Sequence, residues 1–183
     1  MSFPVCLRAL PIVVFGGLLA GCAPSRDQFP PVCPKPLLPS LTGDVSAYRP
    51  GTTGEHLTDL LYSGRIMGIQ GQCKLNSDNK NKLETTVQFA IEVTRGPALR
   101  GRQADVPVYL ALTEGDRILD KRVIVLRGEF PPNVDKVDIT TGELEMLLPI
   151  GPTRSGAAYS VLAGFQLTPE QLAAAKAKET RQP

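Results

Sequence analysis

Tryptophan is absent from this chain, histidine occurs once, and aromatic residues make up only 5% of it. A chain without tryptophan lacks the buried indole that marks antibody-type domains. One histidine, no C-x-x-C pair and no Cys/His cluster leave zinc or thiol-redox chemistry without its usual framework. A formal charge of +2 gives no whole-protein attraction to nucleic acid or to acidic substrates. Long apolar runs are missing too. The uncharged apolar run ALPIVVFGGLLA (Ala9 to Ala20) is too short to cross a bilayer as a helix.

What is present at the N-terminus is specific. One basic residue, Arg8, precedes that stretch, which has the length of a signal-peptide apolar region. The stretch ends Leu19-Ala20-Gly21-Cys22, which resembles the lipobox of bacterial lipoproteins. The pattern has a chemical basis, because the Cys22 thiol must be reachable at the membrane surface for alkylation and small residues before it admit a peptidase. The resemblance implies cleavage before Cys22, a diacylglycerol and an N-acyl chain on it, and no other cofactor. Each buried methylene contributes about 0.8 kcal/mol, so two or more chains hold firmly. In Gram-negative lipoproteins an aspartate after the lipidated cysteine retains the protein in the inner membrane. Ala23 stands there, which favours the outer membrane with the protein facing the periplasm.

Cys6 leaves with residues 1–21 and Cys22 carries lipid, so Cys33 and Cys73 remain in an oxidising compartment. A Cys33–Cys73 disulfide is expected, joining the N-terminal tether to an early strand rather than one sheet to the other. Closing a loop of that length contributes about 4 kcal/mol in the chain-entropy account. Without Arg8 the 20 basic residues fall to 19 against 18 acidic ones, close to neutrality. Prolines 24, 30, 31, 34, 36, 39 and 50 make residues 22–54 read as an extended, lipidated tether that cannot form a regular sheet. At roughly 3 Å per residue, Ala23 to Val32 reaches some 30 Å from the lipid surface.

The periodicity changes after Gly54. Val87, Phe89, Ile91 and Val93 alternate with Gln88, Ala90, Glu92 and Thr94, a period-two pattern. Val106 to Leu112 and Tyr159 to Leu167 repeat it, and Leu60 to Leu75, Ile118 to Leu126 and Val137 to Ile150 are less clean versions. Six or seven strands are predicted, with turn chemistry at NSDNKN (Asn76 to Asn81), RGPALRGR (Arg95 to Arg102), EGD (Glu114 to Asp116), FPPN (Phe130 to Asn133) and GPTRSG (Gly151 to Gly156). With no helix between strands, residues 55–168 are expected to form an all-β, antiparallel immunoglobulin-like or fibronectin-like sandwich. Residues 169–183 form a C-terminal helix and tail, opened by Thr168 as cap, Pro169 and Gln171. Only Leu172 offers it a large apolar side chain, so weak packing is expected.

Chemistry-bearing motifs are sparse. His56 lies among polar residues with no placed nucleophile or orienting partner. Ser155 lacks the G-x-S-x-G context of a hydrolase. NSDNKN lacks the glutamate a calcium loop needs at its twelfth position, where Val87 stands. GTTGEH lacks the lysine and hydroxyl residue of a phosphate loop. The one suggestive cluster is Arg95, Arg100 and Arg102, in a strand-connecting loop with Gly96 and Gly101. Guanidinium groups there can meet phosphates or carboxylates bidentately, unless Asp105, Glu114, Asp116 and Asp120 neutralise them.

The lipobox, the Cys33 and Cys73 pair, VTRGPAL (Val93 to Leu99) and GFQLTPEQL (Gly164 to Leu172) together resemble a family of small uncharacterised lipoproteins of Gram-negative bacteria, chiefly of alphaproteobacterial type. The resemblance implies localisation and an all-β fold and transfers no catalytic residue. The expectation is a non-enzymatic interaction or structural module of the cell envelope. It is held to the membrane by its anchor, with an envelope protein as partner and no nucleic acid. The alternative is a binding protein for glycan or anionic lipid that uses the arginine loop.

Overall fold

In the computed structural model, residues 31–52 and 56–181 are described. They form nine strands and one helix: β1 (Lys35–Leu37), β2 (Asp44–Tyr48), β3 (Leu60–Leu75), β4 (Lys82–Arg95), β5 (Gln103–Glu114), β6 (Arg117–Glu129), β7 (Lys136–Thr140), β8 (Leu144–Pro149), β9 (Tyr159–Phe165) and α1 (Pro169–Arg181). One sheet runs β1-β9-β5-β6, and the other runs β2-β3-β4 with β7 and β8 one after the other along the free edge of β4. The chain is all-β with one C-terminal helix, as its periodicity predicts.

The alternation in β4 dictates the interior. Leu83, Thr85, Val87, Phe89, Ile91 and Val93 are all buried, while the residues between them are not. Val106, Val108, Leu110 and Leu112 of β5 and Tyr159, Val161, Ala163 and Phe165 of β9 meet them from the other sheet in one common core. Burying each such aliphatic or aromatic side chain contributes roughly 1.5–3 kcal/mol. Two tyrosines also link the sheets through the core. The Tyr62 hydroxyl donates to Asp105 O (3.1 Å) and the Tyr159 hydroxyl to Pro149 O (2.6 Å).

Four differences from the sequence expectation have physical causes. First, the proline-rich segment does enter the sheets. β1 pairs with β9, and β2 pairs with β3. Pro36 is accommodated because β1 is an edge strand, where a missing N–H is tolerated, and β2 contains no proline. Second, the β1–β9 pair is parallel, so the sheets are not wholly antiparallel. Third, the Val137 to Ile150 run is two strands. Between them Thr141 is buried, and its hydroxyl accepts the Phe89 N–H (3.0 Å) that the interrupted ladder leaves over. Fourth, Cys33 lies beside β1 and Cys73 on β3, so their bond bridges the two sheets and does not merely hold a tether to one strand.

The helix starts as its sequence predicts. The Gln171 N–H donates to the Thr168 hydroxyl (3.3 Å) and the Thr168 N–H to Gln171 Oε1 (2.8 Å), a reciprocal capping box. Its docking is polar: Gln171 Nε2 donates to Ser46 O (3.1 Å) on the open edge of β2, and the Ser40 hydroxyl donates to Glu179 (2.9 Å). The helix thus covers an edge strand that would otherwise present unpaired carbonyls.

Tyr62 makes stability depend on alkaline pH. Burial first, and the Asp105 carboxylate second, push its phenol up to about 12 from 10.0. The folded chain therefore keeps a proton that the unfolded chain releases near pH 10. This stabilisation is complete below pH 10 and is lost as pH rises to about 12. In denaturant unfolding, the native chain should lose roughly 2 kcal/mol more than Tyr62→Phe across that window. Equal slopes for the two proteins would refute the assignment.

Candidate functional site

Three regions are candidates for function: the entry of the chain into the domain, the arginine loop, and a trough beside the helix. The lipobox and Cys22 lie outside the described residues. The first region begins just after them. The Sγ atoms of Cys33 and Cys73 are at bonding distance, with Cα atoms 5.6 Å apart. Pro34 is buried, and the Val32 carbonyl lies so close to Gly156 that a Cβ there would overlap it. The chain is thus gripped at Val32 to Pro34, by a covalent bond on one side and a close backbone approach on the other.

The arginine loop divides. Arg95, at the end of β4, is half-buried and turns back on its own loop. Its Nη2 donates to Leu99 O (3.2 Å), its Nη1 lies 3.8 Å from Asp135, and its backbone N–H donates to Asp135 O (2.7 Å). Gly96 N–H donates to Leu61 O (2.8 Å) and Ala98 N–H to Leu60 O (3.0 Å), pressing the loop onto the start of β3. A Cβ on Gly96 would overlap Leu60 O, which explains the glycine of Arg95-Gly96-Pro97. Arg100 and Arg102 are exposed on either side of Gly101, whose φ of 93° is open to glycine.

The three arginines therefore do not act as one cluster. Arg95 is structural, and two remain at the surface. The acidic residues expected to neutralise them are largely engaged elsewhere: Asp105 with Arg127 (3.0 Å), Glu114 with Arg117 (2.7 Å) and Arg154 (3.1 Å), and Asp120 with Arg122 (3.1 Å). Among the described residues, Arg100 and Arg102 have no ion-pair partner.

The trough, of about 1110 Å³, runs between α1 and the outer faces of β2, β3 and β4, with Ser46, Ser63, Arg65, Glu92, Gln171 and Lys178 among its walls. Its charges hold one another. Arg65 donates to Asp44 (2.7 Å), a hydrogen bond that raises the guanidinium pKa further, with the Asp44 charge adding to it. Glu170 is held below the usual carboxylate range by its own backbone N–H and then by the Thr168 hydroxyl. Sequence reasoning missed this trough, because it exists only where the helix docks on the β2 edge. A smaller cleft of about 380 Å³, lined by Val32, Leu75, Leu83, Ile150 and Arg154, opens where the chain enters.

The remaining motifs behave as surface structure. His56 precedes a single 3-10 turn, Leu57–Asp59, and Ser155 precedes another, Gly156–Ala158. In NSDNKN, Asn76 Oδ1 accepts the Asp78 and Asn79 N–H groups (3.2 and 2.9 Å) and Asn79 Oδ1 accepts that of Asn81 (2.9 Å), so the side chains build the turn. Half of GTTGEH, residues 53–55, lies outside the described residues. Among the described residues no group of three metal-ligating side chains converges. Comparison of the chain with protein families, with curated proteins and with solved structures finds no match in any of the three.

Gly96 supplies the test of this geometry. Gly96→Ala should destabilise the domain by about 2 kcal/mol or more, because backbone must shift to admit the methyl group. Gly101→Ala adds no such contact and meets only the strain of its positive φ, so it should cost about 1 kcal/mol. Thermal unfolding of the two variants checks the order.

Proposed function

We propose that the protein is an outer-membrane lipoprotein of the Gram-negative envelope, anchored through acyl chains on Cys22 and facing the periplasm, where its β-domain is a non-enzymatic interaction or structural module. The observation that carries the reading is the staple at Cys33. Eleven residues after the lipobox cysteine, the chain is fastened covalently to Cys73 on the longest strand. A pull on the anchor reaches the core through a disulfide that joins both sheets. The grip at Val32 to Pro34 leaves only about ten residues of spacer, so the domain works within roughly 30 Å of the lipid surface. Short, fixed reach suits a module that meets partners at the membrane.

Membership of the small-lipoprotein family rests on the same lipobox and cysteine pair, together with VTRGPAL (Val93 to Leu99) and GFQLTPEQL (Gly164 to Leu172). An immunoglobulin-like or fibronectin-like sandwich is the finer fold reading. Its support is the shared core between two sheets and the crossings between them, at β4 to β5, β6 to β7 and β8 to β9. Several charges of the trough and the cleft are engaged in exposed ion pairs worth little individually, Arg65 with Asp44 and Arg154 with Glu114 among them.

Metabolic labelling with a palmitate analogue tests the anchor. The native chain should carry label and fractionate with the outer membrane, and Cys22→Ser should lose the label and leave the membrane. An unlabelled native chain would overturn the reading.

A second reading has one observation in its favour, the exposure of Arg100 and Arg102, which have no ion-pair partner among the described residues. In it the loop binds an anionic envelope ligand, glycan or lipid. Sedimentation with vesicles containing anionic lipid should then fall steeply with salt and be lost in Arg100→Ala/Arg102→Ala, while Arg95→Ala would chiefly lower stability. Binding indifferent to salt would end this alternative.

A further inference from the structure

The two open sides of the sheets are treated differently. On one side, helix α1 and the Ser40–Thr42 turn cover the β2 edge. On the other, β6 is a thirteen-residue edge strand paired only with β5, and its centre reads Val123-Ile124-Val125-Leu126. Val123 is 53% exposed and Val125 60% exposed. Ile124 and Leu126 face the other way, half-buried at the rim of the core. Long apolar edges of this kind are templates for another strand.

The backbone of that edge is oriented outward at defined positions. Phe130 N–H donates back to Arg102 O (2.8 Å), so along β6 the even-numbered residues direct their amides to β5. The odd-numbered residues Lys121, Val123, Val125, Arg127 and Glu129 direct theirs to the open side. Pro107 agrees. It stands opposite Val125, and its carbonyl turns away from β6 to accept the Gln166 N–H (2.9 Å). Toward the start of the strand the regular edge stops at Leu119, an extra residue between the pairs Leu112↔Asp120 and Thr113↔Ile118.

We infer that the occupant of this edge is β6 of a second copy of the chain, antiparallel about a two-fold axis through Val125. A two-fold perpendicular to the sheet keeps the same face outward in both copies, so facing residue numbers sum to an even value. Centred on Val125, the pairing sets Lys121 against Glu129 of the second copy twice, Val125 against itself on the outer face, and Ile124 against Leu126 over the rim of the core. It uses only the regular stretch beyond Leu119. Glu129 has no ion-pair partner among the described residues, and Lys121 lies over the Tyr109 ring at 4.8 Å, on the same outer face. Neighbouring registers are worse. Centring on Ile124 opposes Lys121 to Arg127, centring on Val123 draws the Leu119 bulge into the ladder, and centring on Leu126 sets both Glu129 and Arg127 against valines and pairs no opposite charges, where the Val125 centre sets only Arg127 against Val123. Charge complementarity and bulge position thus select one register, which merges two four-stranded sheets into one of eight. The inference is independent of the anchor.

The test uses the full chain in detergent-extracted envelope. Across a hydrogen-bonded antiparallel pair the Cα atoms are about 5.5 Å apart, within reach of a disulfide. Mild oxidation of Val125→Cys should give a homodimer on a non-reducing gel. Val123→Cys should not, because its copies lie about 13 Å apart along the strands. The unsubstituted chain controls for Cys6 and Cys22. Sedimentation equilibrium should show a dimer whose dissociation constant rises roughly tenfold in Lys121→Glu and returns in Lys121→Glu/Glu129→Lys. A monomer at all concentrations, equal cross-linking at both positions, an adduct of Val125→Cys with a different protein, or no recovery in the double reversal would each overturn the self-pairing.

Discussion

Burial of the alternating residues of β4 against those of β5 and β9 is the constraint on which the rest of the structure depends. A strand with six inward residues shielded from water needs a second sheet above it. That sheet can be supplied only if the chain crosses over between β4 and β5, which is why the loop after Arg95 is pinned so tightly. Arg95 grips Leu99 and Asp135, and the Gly96 backbone lies on Leu60. The arginine that looked available for ligands is occupied in holding the crossover.

Sheet edges are the next consequence. A two-layer β-structure leaves edge strands exposed, and each has to be covered or charged. The polar helix α1 and the turn before β2 cover one side, which also creates the trough. On the other side β6 relies on the Leu119 bulge and flanking charges, with four apolar residues between them. The Cys33–Cys73 bond spans from the β1 segment to β3, so the sheets are cross-linked near the point where the chain enters the domain. Cohesion of the two sheets and fastening of the entering segment therefore share the same bond.

Much of the fold was legible in local pattern. The period-two runs of β4, β5 and β9 are strands, the polar turns NSDNKN and EGD fall between paired strands, and Thr168 with Gln171 forms the capping box their spacing predicts. The sites were legible only in part. Cys33 and Cys73 meet, as expected from setting Cys6 and Cys22 aside. The arginine cluster was misjudged as a unit, since closeness in sequence does not show which guanidinium turns inward. The proline count also overstated the tether. Pro36 is compatible with an edge strand, and the prolines flanking residues 44–48 do not prevent those residues from pairing.

By itself the sequence determined the strand-forming segments and the cap of the helix, because each depends on side-chain periodicity or on a short spacing along the chain. Only the tertiary structure decided that β1 joins the last strand in parallel, that Thr141 breaks an edge strand, that a trough forms beside α1, and that β6 stands open. Those outcomes depend on which strands become neighbours across tens of residues. Local pattern does not encode such pairings, because any strand with one apolar face can serve as neighbour to several others until the core selects among them.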